Sequence, residues 1–196
     1  IFSSRSLTER PEALIVYSQD VDAGESADLD FIISWHFPNF YGRDFGGEKV
    51  GHYYASRFSS ALDVTKYISA NRDQLFGTTR KWVETWYDSS LPYWLLDRTM
   101  ANTTTLATTT CYRHQDGRFW AWEGIGCCTG TCTHVWHYAQ AVARLFPEIE
   151  KDQRERIDFG MALKANGEIG YRTLLNSSMG PAYDGQCGRI LGAFRE

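Results

Sequence analysis

The chain has 196 residues, is 43% hydrophobic and carries a net charge of −4. That apolar content supports a packed core and argues against disorder, while an acidic balance with no basic run argues against a nucleic-acid surface. No apolar stretch reaches the roughly 18–20 residues that cross a bilayer, so no membrane span is expected.

From Glu12 to Phe37 the pattern is strand-like. "ALIVY" (Ala13–Tyr17) is a short apolar run, and "DLDFIISWHF" alternates, with Leu29, Phe31, Ile33 and Trp35 sharing a face. The "DVDAGES" between them has turn composition, so the segment reads as the edge of a β-sandwich. A Gly- and aromatic-rich loop, "PNFYGRDFGGEKVG", follows.

After Tyr54 the period changes to that of helices. Ser60 is placed to cap a helix carrying Leu62, Val64, Tyr67, Ile68 and Leu75 that ends near Gly77. A second helix runs through Trp82, Val83 and Trp86, and Pro92 starts a third. "TTLATTTCYRHQDGRFWAW" reads as a β-hairpin turning at Asp116-Gly117. From Thr133, apolar residues at helical spacing (Val135, Tyr138, Ala139, Val142, Phe146) run to a stop at Pro147. "GPAYDGQCGRILGAFRE" closes the chain as a loop leading into a helix. The expected class is α+β, with residues 1–54 ending a β-sandwich and residues 55–196 forming a helical domain.

The chemistry concentrates in "GRFWAWEGIGCCTGTCTHVW" (Gly117–Trp136). Strand alternation puts Phe119, Ala121 and Glu123 on one face and Trp120 and Trp122 on the other. Glu123 then stands where the strand ends and a Gly-rich loop begins, between aromatic neighbours. Partial desolvation there suits a carboxylate for acid, base or nucleophilic work. The same position also suits a Glu that merely caps the next loop through backbone N–H groups.

Aromatics reach 15% of the chain, and they read either as core or as a stacking platform for a sugar ring. The Cys127, Cys128, Cys132 and His134 group contains soft ligands, yet no Cys-x2-Cys pair. It is read as packing thiols or a local disulfide, with a zinc site or a cysteine nucleophile paired to His134 or His137 as the lesser readings. Five cysteines is an odd number, so at least one thiol stays free or pairs elsewhere. Asp184 sits in the loop before the last helix, as a turn residue or a second carboxylate of the site.

At these residues the sequence resembles glycoside hydrolase family 116, a family of β-glucosidases and glucosylceramidases. The matching stretches, in order, are "SWHFPN" (Ser34–Asn39), "GHYYASRF" (Gly51–Phe58), "FWAWEG" (Phe119–Gly124), "CTHVWHYAQAVARLFPEIE" (Cys132–Glu150) and "YDGQCGRILGAFRE" (Tyr183–Glu196). They cover nearly the whole chain from about residue 12, and the Cys-rich loop looks like that of prokaryotic members. The resemblance implies an N-terminal β-sandwich and the first part of an (α/α)6 barrel. It also implies a retaining β-glycosidase in which Glu123, matching the family's Trp-Glu-Gly position, is the nucleophile. Trp120, Trp122, Thr133, His134 and Asp184 would bind the sugar. No metal and no cofactor are expected. Retention needs a second carboxyl about 5–5.5 Å away, and the family supplies it as an Asp in a later loop of the barrel. That Asp would lie downstream of Glu196. With no initiator Met or leader, and an ending on "GAFRE", the chain is therefore expected to be a piece of a longer cytoplasmic polypeptide whose remainder is its partner. A non-catalytic carbohydrate-binding fragment is the other reading that fits these features.

Overall fold

The computed structural model describes residues 15–41, 46–124, 127–128, 130–136 and 141–196. The chain divides into two compact units, Ile1–Ile32 and Ile33–Glu196. In the first, the described residues 15–32 contain no strand. A turn closes by a bond from Glu25 N to Asp22 O (3.0 Å), with Gly24 at φ 88°. Ile15, Val16, Tyr17 and Phe31 are exposed. The strands expected over residues 13–17 and 29–37 are therefore not formed among the described residues; Ala13 and Leu14 lie outside them. Alternating apolar residues become a strand only where a neighbouring strand takes up their N–H and C=O groups, and among the described residues none does so.

The second unit is mostly helical and begins earlier than the expected boundary at residues 54–55. Residues 33–37 are held to its helices by side-chain bonds: Ser34 Oγ donates to Ala61 O (2.8 Å), and His36 Nε2 lies 2.8 Å from Phe58 O. Phe37 N donates to the Tyr54 hydroxyl at 2.8 Å. Helix α1 (Tyr53–Arg57) precedes α2 (Ala61–Ala70), whose first turn is capped as expected: Asp63 N donates to Ser60 Oγ at 3.1 Å. The chain does not break at Gly77. Helix α2 ends at Asn71, whose side-chain amide donates to Tyr67 O (2.8 Å), and α3 (Arg72–Tyr87) runs straight through Gly77. An Asn that satisfies a last-turn carbonyl ends a helix more effectively than one interior Gly, which costs only about 1 kcal/mol.

Helix α4 (Tyr93–Thr104) starts directly after Pro92 and passes into a 3₁₀ turn (Thr105–Ala107). The threonine run expected as a strand is thus largely helical. Its hydroxyls turn back on the preceding turn, Thr104 Oγ1 donating to Ala101 O (2.6 Å) and Thr108 Oγ1 to Thr105 O (2.7 Å), which offsets the poor helix propensity of β-branched residues. The hairpin itself is present but shorter. Strands β1 (Cys111–Arg113) and β2 (Phe119–Ala121) pair antiparallel around a turn with Gly117 at φ 91°, and they are the one sheet among the described residues.

After the hairpin come α5 (Thr133–Trp136), α6 (Ala141–Leu145) and α7 (Pro147–Asp152), the last continuing as a π-helix (Gln153–Met161). Pro147 opens α7, and Tyr138 and Ala139 lie outside the described residues. A loop with two isolated bridges, Leu163 to Ile169 and Thr173 to Ser178, leads to α8 (Tyr183–Arg195). Phe119, Ala121 and Val142 form a buried core, packed by Leu106, Cys111, Trp136 and Ile149. The hairpin's end, where Glu123 stands, is therefore fixed from beneath by hydrophobic burial.

Candidate active site

Glu123 follows the last paired residue of β2, and its position is set by both flanks. Upstream, Ala121 N donates to Thr131 Oγ1 (2.9 Å), while Thr131 N returns a bond to Ala121 O (2.8 Å). At Glu123 itself, the backbone N–H is shared between the carbonyls of Cys127 and Cys128, each at 3.2 Å. The returning loop holds two non-glycine residues in left-handed conformation, Cys128 (φ 60°) and Thr131 (φ 52°). Such positions are sterically costly and persist where surrounding contacts enforce them, as the Thr131 latch does here.

The loop-capping role is thus carried by the Glu123 backbone, and the side chain is left for other partners. Glu123 Oε1 pairs with Arg172 Nη2 at 2.5 Å, and the carboxylate accepts a hydrogen bond from the Cys132 thiol. Burial pushes the Glu123 carboxyl upward. The bonds from Cys132 and Arg172, with the charges of Arg172 and His134, outweigh it and hold the group below the usual carboxylate range. Glu123 is accordingly ionised at neutral pH while only 21% of its side chain is exposed.

Arg172 is brought in by the loop before α8, 49 residues downstream. Backbone bonds fix that loop on both sides: Thr133 N donates to Tyr171 O (2.9 Å), Tyr171 N to Gly180 O (2.9 Å) and Met179 N to Arg172 O (2.8 Å). The buried guanidinium of Arg118 adds a bond to Thr173 O at 2.8 Å.

Of the residues expected to bind a sugar, the structure places His134 beside Glu123, with Thr133 and Asp184 next to His134. His134 Nε2 lies 3.1 Å from Cys132 Sγ, its ring stacks on Tyr171 with centroids 5.4 Å apart, and its Nδ1 faces Asp184 Oδ1 at 3.8 Å. Thr133 is buried where α5 meets α8, and a Cβ at Gly185 would collide with its hydroxyl. Asp184, more than half exposed, accepts a bond from Gly185 N at 2.8 Å.

The two tryptophans part company. Trp120 is fully buried, stacked on His114 (5.3 Å) with the Arg118 guanidinium 4.8 Å from its ring, and offers no accessible face in this chain. Trp122 is half-buried, and its carbonyl accepts from Trp136 Nε1 at 3.2 Å. The expected alternation holds for Phe119 and Ala121 against Trp120, but both faces of β2 are covered.

All five cysteines are thiols, so of the two expected alternatives, packing thiols or a local disulfide, the disulfide is not formed. Cys127 and Cys128 are exposed with sulfurs 2.8 Å apart, whereas Cys132 is buried. Burial, reinforced by its bond to Glu123, pushes the Cys132 thiol up to about 11, so it is a proton donor and not a thiolate nucleophile at neutral pH. His137, the other histidine considered for such a pair, lies outside the described residues. The ligand atoms of Glu123, Cys132 and His134 lie within 4.8 Å of one another.

Arg172, Tyr171 and the Cys132 contact are the site members that sequence patterning did not reveal. No periodicity marks the loop that delivers them. A cavity of about 560 Å³ lined by residues including Trp35, His52, Tyr53 and Tyr112 contains none of these side chains. Among the described residues, no helix is long and apolar enough to cross a membrane. No family model matches this chain, and no curated protein is detectably similar to it.

Proposed function

We propose that this chain carries the nucleophile of a retaining β-glycosidase of the β-glucosidase type, with Glu123 as the attacking carboxylate. The observation that supports it best is the state of Glu123: ionised, mostly enclosed, and held by two side-chain donors, Arg172 and Cys132. A nucleophile of this class must be charged before substrate arrives and must point along one line of attack. Two fixed donors do both.

In the proposed reaction Glu123 attacks the anomeric carbon, the bond to the leaving oxygen breaks, and a proton from an acid residue accompanies the departing group. Water then cleaves the glycosyl ester, and the same residue takes up its proton as base. Arg172 keeps Glu123 ionised in the free enzyme. As the ester forms, the carboxylate's charge falls, and the Arg172 charge lowers its basicity as a later leaving group. His134 and Asp184, beside Tyr171, form the polar side that can take sugar hydroxyls, and half-buried Trp122 supplies apolar surface. The acid/base role stays where the family resemblance puts it, on an Asp of a later loop. The β-sandwich and (α/α)6 barrel belong to the same proposal.

The test is Glu123→Gln in the full-length protein. Hydrolysis of an aryl β-glucoside should fall by at least about a thousandfold with an unchanged circular dichroism spectrum. Near-normal hydrolysis by this variant would end the assignment.

A further inference from the structure

The residues around Glu123 combine three donor types at one corner. A carboxylate oxygen, a thiol sulfur and an imidazole nitrogen lie within 4.8 Å of one another, from Glu123, Cys132 and His134. Tetrahedral zinc sets its ligand atoms about 3.6 Å apart for a sulfur–nitrogen pair, given metal bonds of about 2.3 and 2.0–2.1 Å. The observed Cys132 Sγ to His134 Nε2 distance is 3.1 Å, so a small side-chain adjustment opens room for an ion.

The imidazole is also correctly presented. Nε2 faces the sulfur, and Nδ1 faces the Asp184 carboxylate at 3.8 Å. That separation is wider than a hydrogen bond, and closing it by about 1 Å gives the carboxylate–histidine–metal arrangement that fixes a ring's orientation and tautomer and raises its basicity. Among the described residues the cation competing for this carboxylate is Arg172, whose Nη2 occupies Glu123 Oε1. A carboxylate has two oxygens, so Glu123 can keep Arg172 on one and offer the other.

We propose that Glu123, Cys132 and His134 form a three-ligand site for a zinc-class divalent cation, with Asp184 as a positioning residue on His134. The Cys132 thiol loses its proton to solvent as the sulfur–metal bond forms, and water completes the tetrahedron. Two anionic ligands and one neutral ligand beside Arg172 suit a dication. The sulfur and nitrogen donors favour zinc or cobalt over magnesium or calcium. The inference does not depend on the glycosidase reading. If both hold, metal and substrate compete for Glu123, and zinc inhibits.

The probe is cobalt(II), added to the full chain after treatment with a chelator, followed by zinc competition against a chromophoric chelator. One equivalent of cobalt should bind and produce a thiolate-to-cobalt charge-transfer band that zinc abolishes. Cys132→Ser should remove the band, while the Cys127→Ser/Cys128→Ser double variant should keep it. Asp184→Asn, at a surface position that leaves folding intact, should retain the band and weaken zinc affinity 10–100-fold. No band in the unmodified chain would overturn the proposal. So would a band that survives Cys132→Ser, a band lost with Cys127 and Cys128, or unaltered zinc affinity in Asp184→Asn.

Discussion

Two arginine–carboxylate pairs in this molecule use the same chemistry for different ends. Arg189 and Asp158, where α8 meets the π-helix, are both about 1% exposed and 3.0 Å apart. Asp158 is shared with Arg154, and the Nη1 and Nη2 of Arg189 also donate to the carbonyls of Ile169 (3.2 Å) and Gly170 (2.6 Å). Around that pair the charges are paired internally, although Arg189 Nε is buried without a hydrogen-bond partner. Arg172 and Glu123 are 2.5 Å apart but 12% and 21% exposed, and their other neighbours are a thiol and an imidazole that change protonation or bind ligands. The first pair closes a fold, whereas the second keeps a charge available. An ion pair is read as structural or chemical from its neighbours and not from its own geometry.

The largest effect separating the two should come from exchanging one carboxylate in each. Glu123→Gln, as above, should abolish turnover and leave the unfolding free energy measured in urea within about 0.5 kcal/mol of the parent. Asp158→Ala should do the reverse, costing about 3–5 kcal/mol because the buried Arg189 loses its counter-charge while Arg154 keeps Glu150 and Glu196. Equal destabilisation by both substitutions would erase the distinction.

A pH titration sharpens the comparison from a third position. His114 is buried under Trp120, and burial, aided by the Arg118 charge, lowers its pKa to about 4. A histidine lowered in the folded state supports stability above its unfolded value near 6.5, and that support is lost as pH falls from 6.5 towards 4. The loss reaches up to about 3 kcal/mol. Urea unfolding of His114→Gln should show a flatter stability profile across that window, and an unchanged slope would remove His114 as the cause.

The smallest effect concerns the joint between α5 and α8. Gly185→Ala puts a methyl group against the Thr133 hydroxyl and 3.2 Å from its Cβ. It should cost about 1–3 kcal/mol and raise KM more than it lowers kcat, since Thr133 and His134 shift while Glu123 does not. A variant with a raised thermal midpoint would show the joint to be loose.

The parts of this structure written in neighbouring residues were legible in the sequence. The Ser60 cap, the start of α4 after Pro92 and the Asp116-Gly117 turn each depend on a side chain acting within four residues of itself. So does the placing of Glu123 at a strand end. What depends on distant closure was not legible. Arg172 meets Glu123 across 49 residues because backbone bonds in an irregular loop hold it there, and such loops carry no period. The alternation of Leu29, Phe31, Ile33 and Trp35 is real as a pattern. A strand also needs a partner's hydrogen bonds, which a pattern does not specify. Trp120 shows the converse error. Alternation put it opposite Phe119, as found, but could not show that both faces of a three-residue strand would be covered.

Glu123 is proposed as the nucleophile whose carboxylate oxygen bonds to the sugar. The most direct measurement is to treat the full-length protein with a 2-deoxy-2-fluoro-β-glucoside bearing a good leaving group and to map the adduct by peptide mass spectrometry. A single fluoroglucosyl ester on Glu123, absent in Glu123→Gln, is the result predicted. An adduct on any other residue, or saturable glucoside binding with no adduct at all, would contradict it.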